Sequence, residues 1–361
     1  TTAPQVPSLT SPADGVFYYH GGPAFDWADA AGPESGVAGY ELQLATATDF
    51  TTITGSSAPA ASLASFTGLA EKPYYWKVRS QDSAGNYSAY SATRNFTVDL
   101  TTPTVNDLQG DATYYLTANT KLYNVNFDDL GGSLLDKAQV RITSGPAQTG
   151  TVVADWTEAV TGINSISYST DWALPASVWN ALPSGPTGYV SVKVFDRAGN
   201  NFVQGDVFTV WKDTAAPYTA DNQAGDDAWR ASDPGAVYDV DFYDLESLLT
   251  TAQYRLYSGA GQTGTLLKDW TTIAFLPAGT SHYAANWGVD FAAAADGVNY
   301  ASVRLYDRAG LTSETSDVFY VRKDTTVPSI ADAQAGDDAW RGAPGTAYNV
   351  NFADLASGLT T

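Results

Sequence analysis

The stretch "SVKVFDRAGNN", residues 191–201, decides the fold. Val192 and Val194 alternate with Ser191 and Lys193. A period of two marks a strand with one face on a core and the other in water. The strand is expected to end at Asp196, turn through Ala198-Gly199 and return as "DVFTV" (206–210). Gly199 can take the positive φ that the turn requires, while Asp196 and Asn200 can hydrogen-bond the turn's free amides. The same strand and corner recur as "WKVRSQDSAGNY" (76–87), with Asp82, Gly85 and Asn86, and as "SVRLYDRAGL" (302–311), with Asp307 and Gly310. Leu311 replaces the asparagine in the last copy, which weakens that cap. These turn residues read as a folding device repeated once per domain.

Working outward, the spacing is that of whole domains. Junctions of one type stand at "TTAP" (1–4), "DLTTP" (99–103), "DTAAP" (213–217) and "DTTVP" (324–328). Asp99 to Asp213 is 114 residues and Asp213 to Asp324 is 111. "YNVNFDDL" (123–130), "YDVDFYDL" (238–245) and "YNVNFADL" (348–355) are one strand written three times. A fixed period this long means an array of domains, not a solenoid of small units. Many short alternating strands separated by turn signals read as β-sandwiches. The expected domains are 1–98, 99–212, 213–323, and 324–361, the last supplying only the first strands of a repeat. Such a fragment cannot bury a core alone, so it is either truncated or completed by strand donation from another subunit.

Composition agrees. Of 39 acidic residues only six are Glu, and Lys and Arg total 18. Helical surfaces need those residue types; Asp without Glu points to turns and caps. The net charge of −21 disfavours nucleic acid and anionic membrane surfaces as partners. There is no cysteine, which excludes disulfides and thiolate metal sites. No apolar run is long enough to insert in a membrane in this segment.

The first domain carries a recognisable set: "PAFDWADA" (23–30), "SGVAGYELQLATATDF" (35–50), "KPYYWKVRSQDSAGNYSAYS" (72–91) and "RNFTVD" (94–99). It resembles the fibronectin type III and bacterial Ig-like modules found in tandem on large bacterial surface proteins. The resemblance places Phe25 and Trp27 on the second strand, Tyr40, Leu42 and Leu44 on the third, and Tyr74, Trp76 and Val78 on the sixth. Over 99–361 it is looser, because the domains are longer and carry extra segments at 144–180 and 258–292. The fold expected is all-β: tandem Ig-like or fibronectin type III-like sandwiches in an elongated array.

Catalytic signatures are missing. The two histidines, His20 and His282, fall in different domains, and no "GxSxG", P-loop or "HExxH" occurs. A site duplicated with its domain would recur, and nothing catalytic does, so no enzyme is expected. What recurs is acid. Asp99, Asp213 and Asp324 mark the junctions; Asp226-Asp227 and Asp337-Asp338 share one repeat position, and Asp129, Asp244 and Asp354 another. Two readings fit these residues. They are turn caps and solvated charge, or the junction and loop acids (Asp99, Asp213, Asp226, Asp227, Asp324, Asp337, Asp338) hold Ca²⁺ that stiffens the array. Trp27, Trp76, Trp156 and Trp270 read as core, while Trp229 and Trp340 follow "GDDA" in loops and are candidates for glycan stacking.

The function expected is mechanical: a structural segment of a large extracellular or cell-surface bacterial protein, such as a stalk, adhesin shaft or filament. Its partners would be neighbouring repeats, or further copies through strand donation. The alternatives are a module array that binds a glycan or protein ligand, and an accessory region of a secreted hydrolase.

Overall fold

A computed structural model describes residues 2–109, 113–223, 228–333, 340, 342 and 348–360. By contacts the chain forms two compact units. Unit one comprises Thr1–Tyr114, Ala118–Pro183 and Thr187–Val210; unit two comprises Tyr115–Thr117, Ser184–Pro186 and Trp211–Thr361. The described elements are strands, apart from one short helix at Ala176–Ala181.

The first pair of sheets sets three strands (Leu9–Ser11, Ala24–Trp27, Leu63–Ser65) against five (Val16–Tyr18, Arg94–Val98, Lys72–Asp82, Val37–Ala45, Ile53–Ser57, in that order). The inward positions of the alternating strands meet in one cluster: Phe25, Trp27, Leu42, Leu44, Trp76 and Phe96 are buried there. Phe25 and Trp27 lie on the third strand, Tyr40 on the fourth and Tyr74 on the seventh, each one later than the resemblance implies. The leading strand is split: Leu9–Ser11 pairs with Ala24–Trp27, while Val16–Tyr18 runs parallel to Arg94–Val98 in the other sheet. Pro12 lies between the halves and has no N–H to continue a ladder.

The next two sheet pairs repeat one plan. In the first, Ser167–Tyr168, Val125–Asp128 and Thr104–Asp107 form the small sheet. The large sheet runs Thr113–Leu116, Asn201–Lys212, Thr187–Asp196, Leu135–Thr143, Val152–Val160. In the second, Tyr218–Asp221, Val240–Tyr243 and His282–Tyr283 stand against Trp229–Arg230, Thr312–Lys323, Gly297–Asp307, Leu249–Gly259 and Thr263–Phe275. Tyr123, Val125 and Phe127 face inward in one, and Tyr238, Val240 and Phe242 in the other. Tyr123 stacks on Phe208 at 4.0 Å between centroids, and Tyr238 on Phe319 at 4.2 Å.

Three expectations are corrected here. The strand after the corner begins at Asn201 rather than 206. Asp206 is a left-handed residue (φ +48°) within it, and Gly205 is the kind of interior glycine that accompanies such a kink. Trp156 and Trp270 are not core residues but half-exposed, with cations over their rings: Arg141 and Lys193 at Trp156, Arg255 and Arg304 at Trp270. Their strands are edge strands, and on the wet face a Trp covers the stems of long cations. Trp27 and Trp76 are core residues as expected, and in the two repeats Trp172 and Trp287 are buried, both 4% exposed, with Nε1 atoms that donate to the carbonyls of Val125 and Val240.

The last strands, Ser329–Asp332 and Val350–Ala353, pair only with each other among the described residues. Phe352 is 59% exposed, whereas its counterparts Phe127 and Phe242 are fully buried.

Candidate metal centres

Three chain segments meet where a sandwich begins. The junction strand Arg94–Val98 leads into Asp99, the small-sheet strand Val125–Asp128 leads into Asp129, and the hairpin strand ends at Asp196. Each of the three offers a carboxylate oxygen within 4.8 Å of the others, and all three residues are buried. Unit two repeats the arrangement with Asp213, Asp244 and Asp307.

Backbone amides account for most of these oxygens. Asp99 accepts from Thr101 N (3.1 Å) on Oδ1 and Ser133 N (2.8 Å) on Oδ2. Asp129 Oδ1 accepts from Gly131 N at 2.9 Å. Asp196 Oδ1 accepts from Gly199 N and Asn200 N, and its Oδ2 from Asn200 Nδ2 at 2.7 Å. In unit two, Asp213 accepts from Ala215 N and Ser247 N, Asp244 Oδ1 from Glu246 N, and Asp307 Oδ1 from Leu311 N. Three oxygens are left buried without a hydrogen-bond partner: Oδ2 of Asp129, Asp244 and Asp307.

The electrostatics follow from this crowding. Burial raises the pKa of Asp129, Asp196, Asp213 and Asp244, and nearby carboxylates add to the effect. Asp307 is pushed up to about 6, by burial first and then by the charges of Asp213 and Asp244. Glu246 has the opposite sign. Burial works to raise it, but hydrogen bonds from the Ser184 hydroxyl and the Thr214 amide bring it below the usual value.

A native fold seldom leaves buried carboxylate oxygens unpaired, because each costs its desolvation. The donor set fits a hard cation. It is all oxygen, convergent and deprotonatable, and it has lone pairs that no protein donor uses. Asp99, Asp129 and Asp196 would hold one ion, and Asp213, Asp244 and Asp307 another.

The junction residues named from sequence separate accordingly. Asp99 and Asp213 are in the triads. Asp324 accepts from Thr326 N and Ser357 N, near the loop of Asp354; those Ser357 and Thr326 contacts hold it down at about 2. Asp226, Asp227, Asp337 and Asp338 lie outside the described residues. Asp129 and Asp244 were visible as a recurrent position, but nothing local tied them to the junction acids. Asp196 and Asp307 read only as turn residues. They do close their turns, and each also supplies the third carboxylate of a triad. Asp82, Gly85 and Asn86 form the equivalent corner in the first sandwich: Asp82 Oδ1 accepts from Asn86 N and Oδ2 from Asn86 Nδ2. Gly85, Gly199 and Gly310 all have positive φ. Trp229 is half-buried on a strand parallel to the one carrying Arg322, and Trp340 is fully exposed.

No protein-family model matches the chain, and no curated protein matches it in sequence. Solved structures similar to the chain in fold include fibronectin III-like modules and tandem repeats of large bacterial adhesins. The fibronectin(III)-like modules of Clostridium thermocellum CbhA align at 14% identity over 58% of this chain and 94% of that one, with a TM-score of 0.34. A tetra-tandem repeat from the extending region of a large adhesion protein aligns at 16% over 90% and 75%, with a TM-score of 0.29. A Ca²⁺-stabilized adhesin that helps an Antarctic bacterium reach out and bind ice aligns at 17% over 87% and 72%, also at 0.29.

Proposed function

We propose that this chain is a non-catalytic structural segment of a large bacterial surface protein, and that Ca²⁺ bound at its aspartate triads sets the stiffness of the array. The observation that carries the reading is duplication: two triads of buried carboxylates, at the same place in two copies of one fold, both keep unpaired oxygens. An ion there neutralises three crowded charges and ties the junction, the small sheet and the hairpin corner together. Short Thr-Pro junctions act in the same direction, because proline fixes φ and leaves few free torsions. The surface location belongs to this proposal; no described helix is long and apolar enough to cross a membrane.

The test is thermal unfolding with Ca²⁺ and with chelator. A ligand at a hundred times its Kd adds about 2.7 kcal/mol, which for domains of this size raises Tm by about 10 °C. Asp244→Asn should remove the response of unit two and spare that of unit one. Melts that superimpose at millimolar Ca²⁺ would sink the calcium reading and leave the triads as proton-sharing turn caps.

A further inference from the structure

The corner that supplies the third carboxylate of each triad also grips the strand beside the junction. In unit one, Arg94–Val98 leads into Asp99, and the short strand Val16–Tyr18 runs parallel to it. Tyr18 O accepts from Asp99 N at 2.9 Å. The residue before it, Phe17, carries the guanidinium of Arg197 over its ring, 4.9 Å from the centroid. Arg197 immediately follows the triad residue Asp196. It is also fixed from its own side: its amide donates to Leu134 O, and its Nη1 to Asn164 Oδ1 at 2.9 Å. Gly199 approaches Tyr19 so closely that a Cβ there would lie 3.4 Å from the ring. In unit two, Leu116 O accepts from Asp213 N. Arg308, next after Asp307, lies over Tyr115 at 5.7 Å, with Nη1 3.5 Å from the phenol oxygen. Its amide donates to Leu248 O.

Adjacent residues of one short strand therefore hold two of the three ligand segments. Tyr18 and Leu116 hold the junction aspartates by a carbonyl, while Phe17 and Tyr115 hold the corner aspartates through an arginine on a ring. On the reading of the triads as cation sites, we infer that these rings are positioning residues for them. Phe17, through Arg197, raises the affinity of the site of Asp99, Asp129 and Asp196; Tyr115, through Arg308, raises that of the site of Asp213, Asp244 and Asp307. Pre-organisation is the physical cause. A cation has to hold the corner carboxylate against the junction carboxylate, and a corner already clasped to the strand beside the junction loses less freedom when the ion binds. By linkage the coupling is reciprocal, so a bound ion also tightens the corner's hold on that strand. Ion occupancy then depends on whether the short strand is docked, and a pull that strips the strand from the corner lowers the affinity for the ion.

The test is a double-mutant cycle read by calorimetric titration of Ca²⁺ into the whole chain. An Asp244→Asn background leaves the unit-one site to titrate by itself. There Phe17→Leu should weaken binding about three-fold, the scale of an exposed cation–π pair, and Phe17→Tyr should keep it. With Arg197→Gln also present, Phe17→Leu should leave the affinity unchanged. The cycle is needed because Arg197 repels a nearby cation, so its removal alone shifts the affinity by charge as well as by position; the ring changes are neutral. Asp129→Asn isolates the unit-two site, where Tyr115→Leu and Arg308→Gln form the matching cycle, and this cycle decides the question if Phe17→Leu prevents the first sandwich from folding. A merely structural pair would lower Tm in chelator and leave Kd alone, which would overturn the inference, as would equal losses of affinity with and without the arginine. A chain that takes up no Ca²⁺ before any substitution would sink the cation sites and this coupling together; normal uptake with additive variants would sink the coupling alone.

Discussion

The two aspartate triads occupy the same place in two copies of one fold and differ in one side chain of the corner. In unit one, Asn200 Nδ2 donates to Asp196 Oδ2 at 2.7 Å and to the Asp99 carbonyl at 2.9 Å. In unit two the residue is Leu311, which offers only its backbone amide to Asp307 Oδ1. Asp307 Oδ2 is then buried without a partner. The carboxyls are raised by burial in both copies, but the Asn200 amide pulls Asp196 back, and Asp307 climbs to about 6. The comparison teaches that one neutral amide relieves part of the charge a triad stores when no cation is bound, beside the charges of Asp213 and Asp244 that raise Asp307.

The comparison can be broken most forcefully from the unit-one side. Asn200→Leu leaves two buried acceptors, one of them charged, without their donor. It should cost about 3 kcal/mol, read as a lower urea midpoint, and move the Asp196 titration upward toward that of Asp307. A loss below about 1 kcal/mol would mean that the amide is not what separates the copies. The reverse change, Leu311→Asn, should recover about 1 kcal/mol at neutral pH, because a new hydrogen bond to a charged group is offset by lost apolar contact. Carboxyl chemical shifts should then report Asp307 titrating below 6.

A smaller effect is expected from pH alone, with chelator present. Asp307 binds its proton more tightly when folded (about 6) than when unfolded (about 3.9). The destabilisation is fully present above the folded value and relieved as pH falls toward the unfolded one. Tm should therefore rise as pH drops from about 7 toward 4, and Asp129, Asp196, Asp213 and Asp244, all raised, act with the same sign. Asp324, held at about 2, works the other way: its contribution is present above the unfolded pKa and lost as pH falls through 2. A Tm that falls steadily from pH 7 to 5 would contradict this ordering. Because ligation requires deprotonated carboxylates, the Ca²⁺ response should fade over the same window.

Much of the fold was legible because period-two alternation reports local geometry. Val190, Val192 and Val194 could only be one face of a strand, and all three are buried. The faces of tryptophans were harder. Trp172 and Trp287 follow irregular stretches, "YSTD" and "YAAN", where no alternation points inward. Trp156 and Trp270 recur on strands that do alternate, yet they sit on the wet face because arginines and lysines from neighbouring strands cover them. The triads were half legible. Asp99, Asp129 and Asp196 each recur with the repeat, but their meeting depends on three segments far apart in sequence, and the corner's own hydrogen bonds gave Asp196 a sufficient local explanation.

The Asp-Arg pair at the corner has one more consequence. Its aspartate closes a turn within its own hairpin, while its arginine reaches a ring outside that hairpin, Phe17 in one unit and Tyr115 in the other. Each repeat then owes part of its folding free energy to the element before it. Such a chain behaves as a one-dimensional system with nearest-neighbour terms: opening one repeat removes a contact from the next, so unfolding should start where a neighbour is missing and spread inward.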